Sequence, residues 1–434
     1  MHSQAAVGDE ATNLAAAPTL NPVHVTRAIR LTYAQMMLVA IFGASTGGMF
    51  LIGSAMELGA GNLALGLISS IAQPFVILQF AAAWFIERGV SRKRMTIAFA
   101  FVAPTCWFLV AAIPFLGDSV GSFGKLAILI GVIICVTAAN QFSGNARSSW
   151  LGELIPESRR GRFFANCTLF AGLIGAVFAI IEGRFLDFVR SNGLYAFTGL
   201  FLFGAVFGLI AAALNGPQPD CPLPRNHHDG VRFRSLVLDT FRNRPFMLLA
   251  LTHAAIALGG IAGPFGSAYS LRDVGMSFFG LGLVNAVATA AALLSAPLWG
   301  RLVDRSGARS ILILGLLMMA PCSLAWLMIP PGAARTAYVV LPFVNLISGA
   351  GSSAMGVAIS TMLYKLSRPQ GRSVQFAAYS AFVTMFGAPM PLLGGWLITH
   401  LQQHGWNVDL RLTFYLWSCA MLLAAAIARF LHEP

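Results

Sequence analysis

The sequence predicts an all-α membrane protein: twelve transmembrane helices in two six-helix pseudo-symmetric bundles. Three observations predict it: a composition too poor in charge for water, twelve apolar runs of spanning length, and loop motifs that recur at nearly one spacing. Of 434 residues, 57% are hydrophobic and only 10% charged, whereas a soluble domain carries about 25% charged residues. The 44 Gly fit the same class, because Gly is more frequent in membrane helices than in soluble ones.

A spanning helix needs roughly 20 mostly apolar residues. Runs of that kind lie near 31–54, 63–86, 95–116, 124–146, 163–188 and 194–214, then near 246–270, 278–300, 309–329, 336–361, 374–399 and 412–432. They divide the chain into a tail (1–30), a first bundle (31–214), a linker (215–244) and a second bundle (245–434). The tail carries Asp9 and Glu10 but only Arg27 and Arg30 as basic residues. It lacks the basic–apolar–small pattern of a cleaved signal peptide, so a disordered cytoplasmic tail is expected.

The linker opens on Gly216, Pro217, Pro219, Pro222 and Pro224, and carries Arg225, Arg232, Arg234, Arg242 and Arg244. Arg232 to Phe241 has the pattern of a short amphipathic interfacial helix. Cys221, His227 and His228 stand close together there, but their spacing fits no zinc pattern. No metal or other cofactor is expected. The remaining cysteines (Cys106, Cys135, Cys167, Cys322 and Cys419) lie inside apolar runs and read as reduced packing residues rather than a disulfide framework.

Charge sets the orientation. With the N-terminus inside, all but six of the 28 Lys and Arg fall on inner loops and tails, and the exceptions are Lys125, Arg184, Arg190, Arg272, Arg335 and Arg411. All but six of the 16 acids also fall inside, so the inner face carries the whole net charge of +12. That asymmetry follows the positive-inside rule and places both termini in the cytoplasm. Anionic inner-leaflet lipid accounts for the basic excess, and no nucleic-acid partner is needed. The expected location is the inner (cytoplasmic) membrane, as a multi-pass monomer.

The halves repeat each other. Glu87-Arg88 and then Arg92 follow the second run; Asp304-Arg305 and then Arg309 follow the eighth, 217 residues on. Gly161-Arg162, preceded by Pro156, recurs as Gly371-Arg372, preceded by Pro369, 210 residues on. Internal duplication of this kind is the architecture of many secondary transporters.

The stretch Gly300-Arg301-Leu302-Val303-Asp304-Arg305-Ser306-Gly307-Ala308-Arg309 resembles the G-x-x-x-D-R-x-G-x-R/K loop of the major facilitator superfamily. Its first-half counterpart, Ala83 to Arg94, is a degraded copy, with Ala83 and Val90 in place of the glycines and Glu87 in place of the aspartate. The loop from Trp150 to Arg162 is similar to the loop between spans 4 and 5 of many bacterial members. The resemblance covers nearly the whole chain and implies a cytoplasmic latch, closed when the transporter faces out. Glu87, Arg88 and Arg92 would face Gly371 and Arg372, and Gly300, Asp304, Arg305, Gly307 and Arg309 would face Gly161 and Arg162. A carboxylate at a helix N-terminus meets about half a positive charge, and glycines let the backbones approach. One signature departs from the family's antiporters: Ala171 to Gly183 contains no proline. Span 11 instead has Gly387, Pro389, Pro391, Gly394 and Gly395, and should bend there.

The same resemblance implies a cavity lined mainly by spans 1, 4, 7 and 10. Polar residues at membrane depth on those spans are the site candidates, because lipid does not compensate them. They are Ser45 and Thr46, Asn140 and Gln141, His253, and Asn345 and Ser348. Ser and Thr in membrane helices commonly bond their own backbone, which is the competing reading for Ser45, Thr46 and Ser348. No acid falls at the centre of a run; Glu57, Glu182 and Asp187 sit near outer ends. Only His253 offers a mid-membrane group of suitable unperturbed pKa for a coupling proton. The lack of acid tilts the substrate towards neutral or anionic small solutes. A polytopic enzyme would need clustered catalytic groups, and the eight His are scattered. The leading expectation is a secondary-active or facilitative transporter working by alternating access; the alternative is a non-transporting membrane receptor or assembly factor on the same fold. Reporter fusions at Gln218 and Asn407 should report opposite sides of the membrane, and the same side for both would refute the span count.

Overall fold

The computed structural model describes residues 22–117, 120–155, 157–220, 241–367 and 372–433. Twelve helices among them are long and apolar enough to cross a membrane. Spans 1 to 6 are Thr26–Glu57, Asn62–Ile86, Arg92–Phe115, Gly121–Leu151, Arg162–Phe188 and Tyr195–Ala213. Spans 7 to 12 are Arg244–Asp273, Phe278–Ser306, Ala308–Met328, Ala334–Leu366, Val374–Gln403 and Arg411–Ala428. Cys221, His227, His228 and most of the expected linker helix lie outside the described residues. The face where span 1 begins and span 12 ends is called here the termini face, and the opposite one the far face.

Helical geometry satisfies each backbone group within its own segment, as hydrocarbon demands. Pro104, Pro297, Pro321 and Pro342 therefore sit inside helices without ending them. Four spans are nevertheless interrupted. Span 1 breaks between Thr46 and Gly48, where Gly47 is extended and Gly48 has φ +51, a left-handed conformation that glycine adopts without a Cβ clash. Span 2 passes through a turn into the short 3-10 segment Pro74–Ile77, since Pro74 has no N–H to continue the ladder. Span 7 breaks into the 3-10 segment Gly259–Ala262, which opens on two glycines. Span 11 divides into Arg372–Gly387 and Met390–Gln403, bending where its Gly and Pro residues led us to expect.

The two bundles meet at the far face. Asp187, at the end of span 5, accepts hydrogen bonds from the N–H groups of Phe278 and Phe279, both at 2.9 Å. These N–H groups belong to the exposed first turn of span 8, which favours a carboxylate. Gly183 lies against the Phe278 carbonyl, and Gly53 of span 1 against the Phe278 ring. Spans 2 and 11 cross at least as closely: a Cβ on Gly66 would collide with the Pro391 carbonyl, and one on Gly395 with the Asn62 carbonyl. The Leu392 N–H, in the first turn after the span 11 break, donates to Ser70 of span 2 at 3.0 Å. Towards mid-membrane, Gly172 of span 5 still touches Leu293 of span 8. Spans 4 and 10, by contrast, pack on helices of their own bundle.

Because lipid supplies no hydrophobic push between helices, this seal depends on close backbone approach. Gly395→Val should therefore keep the far face from closing. A cysteine placed at Asn62 is expected to react faster with an impermeant thiol reagent in that variant than in its parent; an equal rate would refute the seal.

Candidate functional site

The breaks in span 7 leave irregular backbone beside a cavity of ≈ 400 Å³. Gly259, Gly260 and Gly263 form one wall, so backbone rather than side chains faces the space. Span 10 contributes Asn345 and Ser348, span 8 contributes Asn285, and Trp326, Phe414 and Trp417 supply aromatic surface from spans 9 and 12. Met319, Met355 and Met421 add flexible thioethers, and Ser267 a further hydroxyl. Among the described residues, no charged side chain lines the cavity. The amides of Asn285 and Asn345 make no hydrogen bond among the described residues, while Ser348 back-bonds to the Asn345 carbonyl at 3.4 Å. Unpaired amides beside aromatic planes can hydrogen-bond the edge of a flat polar molecule while the rings cover its faces.

The sequence candidates divide. Asn345 and Ser348 line this cavity. Ser45 and Thr46 are buried and bond the carbonyls of Ile41 and Phe42 at 2.9 and 2.6 Å, and Ser45 also meets Glu182. Gln141 accepts from Gln79 of span 2 at 2.7 Å, and Asn140 is exposed. His253 does not line the cavity: its Nδ1 lies 2.8 Å from the Tyr379 hydroxyl, joining span 7 to span 11. Spans 1 and 4 contribute nothing to this cavity, whose walls are spans 7, 8, 9, 10 and 12. Of the expected walls, spans 1, 4, 7 and 10, this cavity uses spans 7 and 10. Asn285 escaped the sequence reading because span 8 was not expected to line a cavity; its signal was a single amide in an otherwise apolar run.

The repeated loops hold their own bundles in this state. Arg92 is 2% exposed and donates to Ser149 of span 4 at 3.2 Å, while Arg88 lies 3.7 Å over the Trp84 ring. Arg309 donates through its guanidinium to the Arg429 carbonyl and through its N–H to the Glu433 carboxylate. Gly307 has φ +84, and a Cβ there would stand 3.0 Å from Glu433. Asp220 has the equivalent place in the first bundle, accepting from Ser91, the residue that caps span 3, at 3.2 Å. The loop repeat thus extends to an acid following spans 6 and 12. Asp304, Arg305 and Arg162 are exposed, and Gly300 is half-buried. Asp304 makes no hydrogen bond or ion pair among the described residues. Gly371 and the side-chain surroundings of Glu87, Gly161 and Arg372 lie outside them. Among the described residues, no three His, Cys, Asp or Glu come together as a metal site requires.

Residues 254–434 match the sequence model of the Major Facilitator Superfamily. No curated protein sequence matches the chain. Among solved structures, the nucleoside transporter NupG is similar at TM-score 0.67 and 12% identity, covering 94% of this chain and 98% of its own. A bacterial homolog of the human lysosomal transporter Spinster, in an inward-facing and unoccupied conformation, is similar at TM-score 0.64 and 15% identity, covering 94% and 96%. A POT family transporter in complex with 5-aminolevulinic acid is similar at TM-score 0.68 and 14% identity, covering 93% and 95%. All three share the fold of this chain.

The His253–Tyr379 bond lies outside the cavity and ties two helices. Tyr379→Phe should cost about 1 kcal/mol of stability, the usual net worth of one hydrogen bond, seen as a lower unfolding temperature. Ligand affinity at the cavity should stay unchanged, and a loss of affinity would return His253 to the site.

Proposed function

We propose that the chain, which has the major facilitator fold, moves a small uncharged solute bearing a flat ring across the membrane by alternating access. The cavity carries this reading, with its ≈ 400 Å³ of space, two unpaired amides, aromatic walls and no charged lining. A charged substrate would enter it without a counter-charge, at a cost of several kcal/mol. Of the neutral and anionic classes expected from composition, the neutral class therefore fits better. One transporter of the same fold takes nucleosides, which have such an uncharged heteroaromatic ring.

The far-face seal and the four interrupted spans support alternating access, because each break falls where a half-span must tilt without its partner. An exposed Asp304 fits a latch that engages span 5 only when the termini face closes. The basic excess supports placing the termini face in the cytoplasm and the protein in the inner membrane, surrounded by anionic lipid, as a monomer. The breakable seal also speaks for transport over a receptor or assembly role.

Thermal-shift screening of purified protein against nucleosides, sugars, carboxylates and amines should find stabilising ligands among uncharged ring compounds. Asn345→Ala and Asn285→Ala should each weaken such a ligand about fivefold, one hydrogen bond's net contribution. Stabilisation by charged solutes alone, or undiminished affinity in both variants, would overturn the reading.

A further inference from the structure

Glu182 of span 5 is only 4% exposed, although the sequence places it close to the far face. Its Oε1 lies 2.5 Å from the Ser45 hydroxyl of span 1, and that hydroxyl lies 2.9 Å from the Ile41 carbonyl. A serine hydroxyl has one hydrogen to donate and lone pairs to accept. Against an ionised carboxylate, Ser45 would face two pure acceptors with a single proton, leaving two oxygens in contact with nothing between them. With the carboxyl protonated, the contacts form a chain: Glu182 donates to Ser45, and Ser45 donates to the Ile41 carbonyl. The Ser45–Ile41 distance is ordinary for an O–H···O bond, and the Glu182–Ser45 contact lies at the short end of the range. The other oxygen, Oε2, is buried with no hydrogen-bond partner, a modest cost for a neutral carbonyl and a large one for a charge.

Among the described residues, no cation balances the site. Span 1 carries Arg27, Arg30 and Tyr33 towards the termini face and Glu57 at its far end; span 8 carries Arg301, Asp304 and Arg305 at the termini face. Span 6 carries only Tyr195, at its start, and the turn before it Arg190. On its own helix, Arg184 leans towards the Phe279 ring, and Asp187 is occupied with the start of span 8. Span 6 also closes over the pair: a Cβ on Gly204 would stand 2.6 Å from the Ser45 Cβ. The position is mechanical as well. Ser45 lies in the last turn before the span 1 break, and Gly183, beside Glu182, packs on span 8 in the far-face seal.

We propose that Glu182 and Ser45 form a proton-binding site that is occupied while the far face is closed and emptied when it opens. On opening, the carboxyl O–H bond breaks and its proton passes to water entering from the far face. The electron pair stays on the carboxylate, which water then solvates. Proton binding thus favours the closed far face, whichever solute the cavity takes.

The test uses full-length protein in lipid vesicles with the native cysteines replaced and spin labels at Asn192 and Trp406, on far-face loops. Raising the pH from mildly acid to mildly alkaline should lengthen the label distance in the parent. Glu182→Gln, which keeps a donor to Ser45 but takes no proton, should stay short throughout. A variant that follows the parent's profile, or a parent without a pH response, overturns the proposal. Infrared spectra of protein labelled with ¹³C-glutamate give a check that needs no variant. A protonated-carboxyl C=O band that shifts on labelling, and fades as the label distance lengthens, is expected at neutral pH. Its absence refutes the site even if Glu182→Gln fails to fold.

Discussion

The two bundles are held at one end by a carboxylate and a pair of backbone N–H groups, Asp187 of span 5 with Phe278 and Phe279 of span 8. This contact fixes the start of span 8 against the end of span 5, and the glycine crossings of spans 1, 2, 5 and 11 close around it. The ion pairs described, Arg272–Asp273, Lys365–Glu433 and Arg411–Asp409, all stay within one bundle. Parting the bundles therefore returns one carboxylate, a few backbone groups, the Ser70 hydroxyl and the exposed Arg272–Asn62 contact to water and strands no buried charge, so the seal can be broken at modest cost.

The sequence reading anticipated a chemistry that the structure also uses at the opposite face. It expected a carboxylate of one bundle at a helix N-terminus of the other, with Asp304 reaching towards span 5 at the termini face. The structure places that arrangement at the far face, with Asp187. A motif can locate a loop, but which face is closed depends on the conformation adopted, and no residue pattern encodes that. Span number and the bend of span 11 were legible because hydropathy, Gly and Pro act locally. The span 1 break at Gly47 and Gly48 was visible only as a run of small residues.

Cavity-lining residues were legible to the extent that their setting was local. Asn345 and Ser348 stood out as polar groups on a single apolar helix. His253 looked equally promising, but its partner Tyr379 lies four spans away, and nothing in the sequence links them. Glu182 was counted as near an outer end by its distance from the next loop. Its burial comes from spans 1 and 6 folding over it, a tertiary effect that counting along one helix cannot register. The cavity's use of spans 8, 9 and 12 was likewise invisible, because glycines in span 7 open its wall inwards.

The placement of Asp220 and Glu433 bears on how the protein is made. Each follows the sixth helix of its bundle and returns to the start of the third, and Lys93 and Trp150 add bonds to the carbonyls of Gln218 and Pro219. The first bundle can thus tie off its own end as soon as residue 220 leaves the ribosome, before the second bundle is complete. Nothing in that knot waits for span 7. Insertion can proceed as two successive closures, leaving only the far-face seam to form after the second.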